Sequence, residues 1–167
     1  HTRRGAPVPL AALRALGGES ARRRVLVEKA IVADAVARGL CRFDAELAAG
    51  RLPLTSEDLE RLRVAPTDLA QAPAADALRR AVAEQVVWAR ALLAVAWALP
   101  HDLGPRHAPW AGGWLRRIEA RLRAVERIGF DVTGRRAEPR PTALDRAALL
   151  GALWWLPPRS VVDHGGG

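Results

Sequence analysis

The sequence contains no methionine, no tyrosine and a single cysteine among its 167 residues. One cysteine, Cys41, cannot form an internal disulfide, which excludes the disulfide-rich secreted domains and favours a reducing compartment. Residues that favour strands are scarce, whereas Ala, Leu, Arg and Glu, which lose little side-chain freedom in a helix, are abundant. We therefore predict an all-α fold. Because methionine is absent and the chain begins at His1, we also predict a fragment of a longer protein, truncated at the N-terminus.

Long apolar runs are also lacking. The longest strongly apolar stretch, Ala91 to Pro100, is shorter than the roughly 20 residues that a membrane-spanning helix needs. The N-terminus shows no signal-peptide pattern. These features predict a cytoplasmic protein, with peripheral association with a membrane left open.

Lysine is nearly absent, although the formal net charge is +8. Lys29 is the only lysine, so 25 of the 26 basic residues are arginines, and they are scattered through the predicted helices. A nucleic-acid-binding protein usually collects its positive charge into one patch or stripe. We interpret the arginines as a coding bias and do not expect DNA as a partner, so a basic nucleic-acid-binding protein is the weakest alternative.

Apolar residues recur every three or four positions, which is typical of amphipathic helices. Half of the residues are hydrophobic, enough for one domain with a core. We predict one helical domain over residues 1–156 and a disordered tail over 157–167. The predicted helices cover residues 9–16, a long segment from the cap Ser20 to Gly50, a short helix started by Thr55 and Asp58, residues 75–99, residues 114–128, and residues 142–155. The segment "PHDLGPRHAP" is predicted to be a loop, and Trp110 and Trp114 are predicted to lie in the core.

Charged residues four apart mark one face of the long second helix. Asp34, Arg38, Arg42 and Glu46 follow one another at this spacing, so acids and bases can pair along the helix. Asp44, two residues before Glu46, lies about 200° around the helix from the Glu46 position and cannot share an ion with it. From the residues alone, a salt-bridged face is favoured over a metal site.

Three segments of the sequence resemble the squalene/phytoene synthase family, in particular its bacterial squalene and hydroxysqualene branch. "RRGAPVPLAALRALGG" is similar to the family's Ala-x-x-Val-Gly stretch. "AAGRLPLTSEDLERLRVAPTDL" is similar to its Gly-Arg-x-Tyr-Leu-Pro loop and the following helix, and "IGFDVTGRR" to its Ile-Glu-x-x-Gly-(Tyr/Phe)-Asp-Val segment. The resemblance spans about residues 3 to 155 and corresponds to the C-terminal part of the family.

The resemblance implies an isoprenoid-synthase-like helical bundle and a head-to-head prenyl diphosphate synthase of terpenoid or hopanoid biosynthesis. It also implies Mg²⁺ as cofactor, held by two acidic helices, and a prenyl diphosphate such as farnesyl diphosphate as substrate. The first acidic helix would lie upstream of His1. Hard Mg²⁺ prefers carboxylate and phosphate oxygens and stabilises a departing pyrophosphate, which is consistent with that chemistry.

The second acidic motif is degenerate when it is carried over by register. Counting back from Arg51, the family's second acid falls on Glu46, its first Asp on Arg42 and its Asn on Arg38. The resemblance thus assigns Glu46 as the remaining metal ligand and assigns Arg38, Arg42 and Arg51 as contacts for the substrate diphosphate. A guanidinium can hold a phosphate but cannot organise a metal cluster.

We therefore expect prenyl synthase activity to be impaired or absent in this chain and assign no catalytic residue. The leading alternative is a non-catalytic scaffold or assembly protein derived from the same fold. A partner chain or a homo-oligomer is a further expectation, because removal of upstream helices would leave apolar faces uncovered.

Overall fold

Three long amphipathic helices make up most of residues 20–134, the part of the chain that this computed structural model describes. No strand occurs within these residues, which confirms the all-α prediction. In chain order the elements are α1 (Ala21–Cys41), α2 (Phe43–Ala48), α3 (Ser56–Arg61), a 3₁₀ turn (Pro66–Leu69), α4 (Asp76–Ala96), α5 (Leu99–Leu103) and α6 (Ala108–Arg127).

Two of the predicted helix starts are confirmed by their caps. The Ser20 hydroxyl accepts a hydrogen bond from the amide of Arg23 at 3.1 Å, which satisfies one of the free donors at the start of α1. At the start of α3 the Thr55 hydroxyl accepts from the amide of Asp58 at 3.1 Å and donates to its carboxylate at 2.6 Å. The short side chains at these positions therefore fix where α1 and α3 begin.

The core lies between α1, α4 and α6. Each helix contributes one apolar face, and α1 contacts α4 through alanines that allow the two helices to approach closely. The inward residues of these faces are almost completely buried: Ala30, Ala33 and Ala37 of α1, Leu78, Val82, Val86 and Leu93 of α4, and Leu115, Ile118, Leu122 and Val125 of α6. The predicted apolar spacing of the helices over 75–99 and 114–128 is thus confirmed.

Two local predictions were wrong. The segment "PHDLGPRHAP" was predicted to be a loop, but Pro100 to Leu103 belong to α5, where Pro100 occupies a first-turn position that requires no amide donor. Trp110 was predicted to lie in the core, yet it is 37% exposed and packs its ring 6.0 Å from that of Trp114. Its place in the first turn of α6 puts it at the edge of the bundle.

The helical stretch that contains the apolar run extends well beyond the run itself. Asp76–Leu103 contains an 18-residue window with a mean hydropathy of 1.4, so this stretch could cross a membrane by length and composition alone. The sequence analysis considered only Ala91 to Pro100, because charged residues interrupt the apolar run outside this stretch, and so it did not identify the longer segment. Core helices of globular proteins meet the same criterion, and the inward face of α4 is part of the core.

The predicted helices over 9–16 and 142–155, and the predicted tail over 157–167, lie outside the described residues. The prediction of one domain over residues 1–156 therefore remains a prediction.

Candidate anion-binding site

The candidate site lies where α1 passes into α2. The sequence predicted one continuous helix to Gly50, but α1 ends at Cys41 and Arg42 adopts φ −120° and ψ 29° before α2 begins. The amide of Arg42 divides its hydrogen bond between the carbonyls of Arg38 and Gly39, at 3.1 and 3.2 Å. The chain therefore bends at Arg42, which the resemblance had placed in an unbroken acidic helix.

Glu46 is bound by Arg51. The Arg51 Nε donates to the Glu46 Oε2 at 2.5 Å, and the Glu46 side chain keeps 26% of its surface exposed. This hydrogen bond, assisted by the charges of Arg51, Arg42 and Arg38, lowers the pKa of Glu46 below its ordinary value. The bond to Glu46 raises the pKa of Arg51 in return. The Glu46 carboxylate is thus bonded to one guanidinium, that of Arg51, and is also influenced by the positive charges of Arg42 and Arg38.

The Gly-Arg loop is held against α1 by a close backbone approach. The amide of Arg51 donates to the carbonyl of Glu46 at 2.8 Å, so the loop folds back over the end of α2. A Cβ added at Gly39 would meet the Cβ of Pro53 at 3.0 Å, tighter than ordinary contacts. Glycine at position 39 of α1, the residue after Arg38, therefore lets the loop that carries Arg51 pack directly against the helix.

Arg38 is oriented by a carboxylate that two helices share. Asp34 accepts from Arg121 of α6 at 2.7 Å and lies 3.3 Å from the Nε of Arg38. The Asp34 side chain is only 14% exposed, whereas that of Arg38 is 46% exposed. The pair holds the Nε of the Arg38 guanidinium, and nearly half of the side chain remains accessible to solvent.

The predicted charge ladder is only partly formed. Asp34 and Arg38 do pair along α1, as predicted. The spacing also allowed Arg42 to pair with Glu46, but the ion pair seen for Glu46 within the described residues is with Arg51 of the loop. The bend at Arg42 and the folded-back loop explain the difference, because they bring Arg51 to Glu46 from outside the helix.

Asp44 does not belong to this group of charges. Its carboxylate accepts a hydrogen bond from the amide of Gly134 at 2.8 Å, on the segment that follows α6. This agrees with the interpretation that Asp44 and Glu46 cannot share an ion. It also ties α2 to the "IGFDV" segment, a contact 90 residues apart in sequence.

Asp131, in the segment that follows α6, is a buried acid whose structural role the sequence analysis did not predict. It is 5% exposed, and its Oδ1 accepts from the amide of Ala74 at 2.9 Å and from the hydroxyl of Thr133 at 3.1 Å. Gly129 and Phe130 both have positive φ, 62° and 61°, which turns the chain sharply after α6 and carries Asp131 inward. The signal in the sequence was an acid between Phe130 and Val132, which is unusual for a solvated loop.

The described residues do not fit the Mg²⁺ centre that the resemblance implies. Within residues 20–134 no three His, Cys, Asp or Glu side chains come together in a group that could hold a metal ion. Glu46 is already bonded to Arg51, and Mg²⁺ requires several oxygen ligands in octahedral geometry. These residues suit an anion better than a cation.

The described residues form an all-α bundle with an arginine-rich bend between α1 and α2. The family model for squalene/phytoene synthase matches residues 36–143, which covers the bend, the Gly-Arg loop and the "IGFDV" segment. The chain belongs to the squalene/phytoene synthase family, whose fold is the all-α isoprenoid synthase fold. No curated protein and no solved structure matches the chain.

Proposed function

We propose that this protein binds the diphosphate group of a prenyl diphosphate through Arg38, Arg42 and Arg51, and that its Mg²⁺-dependent head-to-head condensation is impaired. The observation that carries the proposal is the Glu46 carboxylate bonded to Arg51 and flanked by the charges of Arg42 and Arg38. The family acts on prenyl diphosphates, which supports this class of ligand.

The chemistry of arginine explains why binding can persist without the metal. A guanidinium presents five N–H donors in a plane and matches phosphate oxygens in pairs. The bond from Arg51 to Glu46 uses the Nε, so other donors of that side chain can still meet a diphosphate. A condensation, by contrast, requires stabilisation of the departing pyrophosphate, which the family supplies with metal ions. Binding and turnover are therefore separable in this chain.

Calorimetric titration of the full chain with inorganic pyrophosphate and with farnesyl diphosphate, each in EDTA and in Mg²⁺, tests the binding. We expect affinity in EDTA, and a loss of about tenfold in Arg42→Gln, because one charge-assisted contact is worth about 1.5 to 3 kcal/mol. The matched control is Arg106→Gln, an exposed arginine between α5 and α6, which should leave the affinity unchanged. Binding only in Mg²⁺, or an equal loss in the control, would overturn the proposal.

Turnover is tested separately by incubating the full chain with farnesyl diphosphate and Mg²⁺ and measuring pyrophosphate release. We expect none above background. Release by the native chain would contradict the impairment, whereas gain of Mg²⁺-dependent release in Arg42→Asp combined with Arg38→Asn would identify the two arginines as its cause.

The nucleic-acid alternative has less support, because the arginines are scattered along the chain and carboxylates lie beside many of the described ones, so their positive charge is not gathered into one patch. Ion pairs engage Arg23, Arg38, Arg51, Arg61, Arg90, Arg121 and Arg123. A binder of DNA would show an affinity that falls steeply with salt concentration, and we expect no such dependence.

A further inference from the structure

One face of α4 is apolar but exposed. Val87 is 69% exposed, and Trp88 and Val95 are each 48% exposed, on the side of the helix opposite to the buried core residues. Ala91 and Ala94 lie between them and are exposed as well. We call these five residues the outer face of α4. Contiguous exposed apolar surface of this kind usually marks a site that another segment covers.

The described chain ends close to the start of this helix. A Cβ added at Gly134 would lie 3.4 Å from the Cβ of Ala72, four residues before α4 begins, and Asp131 bonds to the amide of Ala74. The described chain therefore ends near the N-terminal end of α4, and 33 residues follow Gly134 in the sequence.

The following residues can reach the outer face. The predicted helix over 142–155 begins eight residues after Gly134, and eight extended residues span at most about 27 Å. Val87 lies eleven residues after Asp76, a rise of about 17 Å along α4. The predicted helix would be about 21 Å long, whereas the outer face extends over about 12 Å from Val87 to Val95. The linking segment is therefore long enough to reach the outer face, and the predicted helix is long enough to cover it.

The composition of the segment matches the outer face. Every residue from Ala147 to Trp155 is apolar except Gly151, and a helix that is apolar on all sides requires cover on more than one side. The side chains of Ala91 and Ala94 are small and exposed, so another helix can approach α4 closely at these positions. We infer that the outer face of α4 is the docking site of residues 142–155 of the same chain.

Cross-linking in the full chain tests this inference independently of the diphosphate proposal. In a Cys41→Ala background, Ala91→Cys serves as the anchor, and a second cysteine is scanned through positions 147 to 153. We expect a short bismaleimide to join the two within one chain, with maxima three or four positions apart. The reaction should be at least about tenfold faster than with Glu28→Cys, an exposed anchor on α1, because proximity raises the effective concentration.

Circular dichroism verifies that each variant is folded, and Val95→Cys serves as a second anchor if Ala91→Cys disturbs the fold. Equal rates from the α1 and α4 anchors, or a scan without helical periodicity, would overturn the inference. Cross-links that form only between chains would indicate a second copy as the occupant and would also overturn the inference. The same holds for cross-links to cysteines placed in residues 9–16. A third contrary outcome is an anchor cysteine that phosphatidylglycerol vesicles alone protect from reaction with the maleimide.

Discussion

Two carboxylates within the residues that the family model matches, Asp131 and Glu46, differ in burial and in their bonding partners. Asp131 is 5% exposed, bonds to an amide and a hydroxyl, and lies 3.8 Å from the Nη2 of Arg79. Glu46 keeps a quarter of its side chain exposed and bonds to the guanidinium of Arg51. Because Asp131 is buried, its loss would leave buried donors without an acceptor, and each such donor costs about 1 to 3 kcal/mol of stability. An exposed pair contributes little to stability. Asp131 therefore supports the fold, whereas Glu46 lies at the candidate site and its pair with Arg51 contributes little to stability.

The largest effect is expected when the buried acid is removed. Asp131→Ala leaves the amide of Ala74 and the hydroxyl of Thr133 without their acceptor, so the free energy of unfolding should fall by about 2 to 4 kcal/mol. Urea denaturation measures the change. Asp76→Ala, an exposed acid in the first turn of α4, is the control and should cost at most about 1 kcal/mol. Equal losses in the two variants would remove the distinction between buried and exposed acids.

An intermediate effect is expected for the pair that joins α4 to α6. Arg90 donates to both carboxylate oxygens of Glu126, at 2.7 and 2.8 Å, and about a third of each side chain is exposed. The bond to Arg90 lowers the pKa of Glu126 below its ordinary value of 4.5. Glu126→Gln should therefore cost about 0.5 to 1 kcal/mol at pH 7, a figure reduced for solvent screening.

The sign of the pH dependence follows from that lowered pKa. The stabilisation is complete above the unfolded-state pKa and is lost as the pH falls through the folded-state value, because protonation removes the charge that Arg90 binds. The difference between native chain and Glu126→Gln in urea denaturation should shrink on acidification below pH 4.5. A difference that stays constant would contradict the pairing.

The smallest effect on stability is expected at the anion-binding site. Arg51→Gln should leave the urea denaturation curve unchanged, since Arg51 is exposed and its bond to Glu46 is screened by solvent. The same change should raise the pKa of Glu46 towards its ordinary value, because the hydrogen bond from Arg51 is the largest cause of its lowering. Carboxyl-detected NMR titration of Glu46 measures this shift. An unchanged pKa would show that Arg51 does not hold Glu46.

Regular features of the fold could be predicted from the sequence, because they depend on local patterns. The cap residues Ser20 and Thr55 and the apolar spacing of α4 and α6 were correct. The bend at Arg42 could not be predicted, since the backbone bonding continues through it: the amide of Glu46 still donates to the carbonyl of Arg42 at 2.9 Å.

The part of the site that depends on distant contacts was also missed. Helical spacing predicted only that acids and bases can pair along this face, whereas the loop brings Arg51 to Glu46 from outside the helix. The role of Asp131 depends on Ala74, 57 residues away, and no pattern in a single sequence indicates such a contact. The assignments of Glu46, Arg38, Arg42 and Arg51 to ligand binding remain predictions that the titrations above test.

The hydrogen bond from the Gly134 amide to Asp44 has a practical consequence. Asp44 lies on α2 two residues before Glu46, so a ligand that shifts α2 also changes the environment of an amide proton beyond the end of α6. Glycine amides are easily assigned in nitrogen-correlated NMR spectra. Gly134 is thus a native spectroscopic reporter for the arginine-rich bend, readable without any label on the site itself.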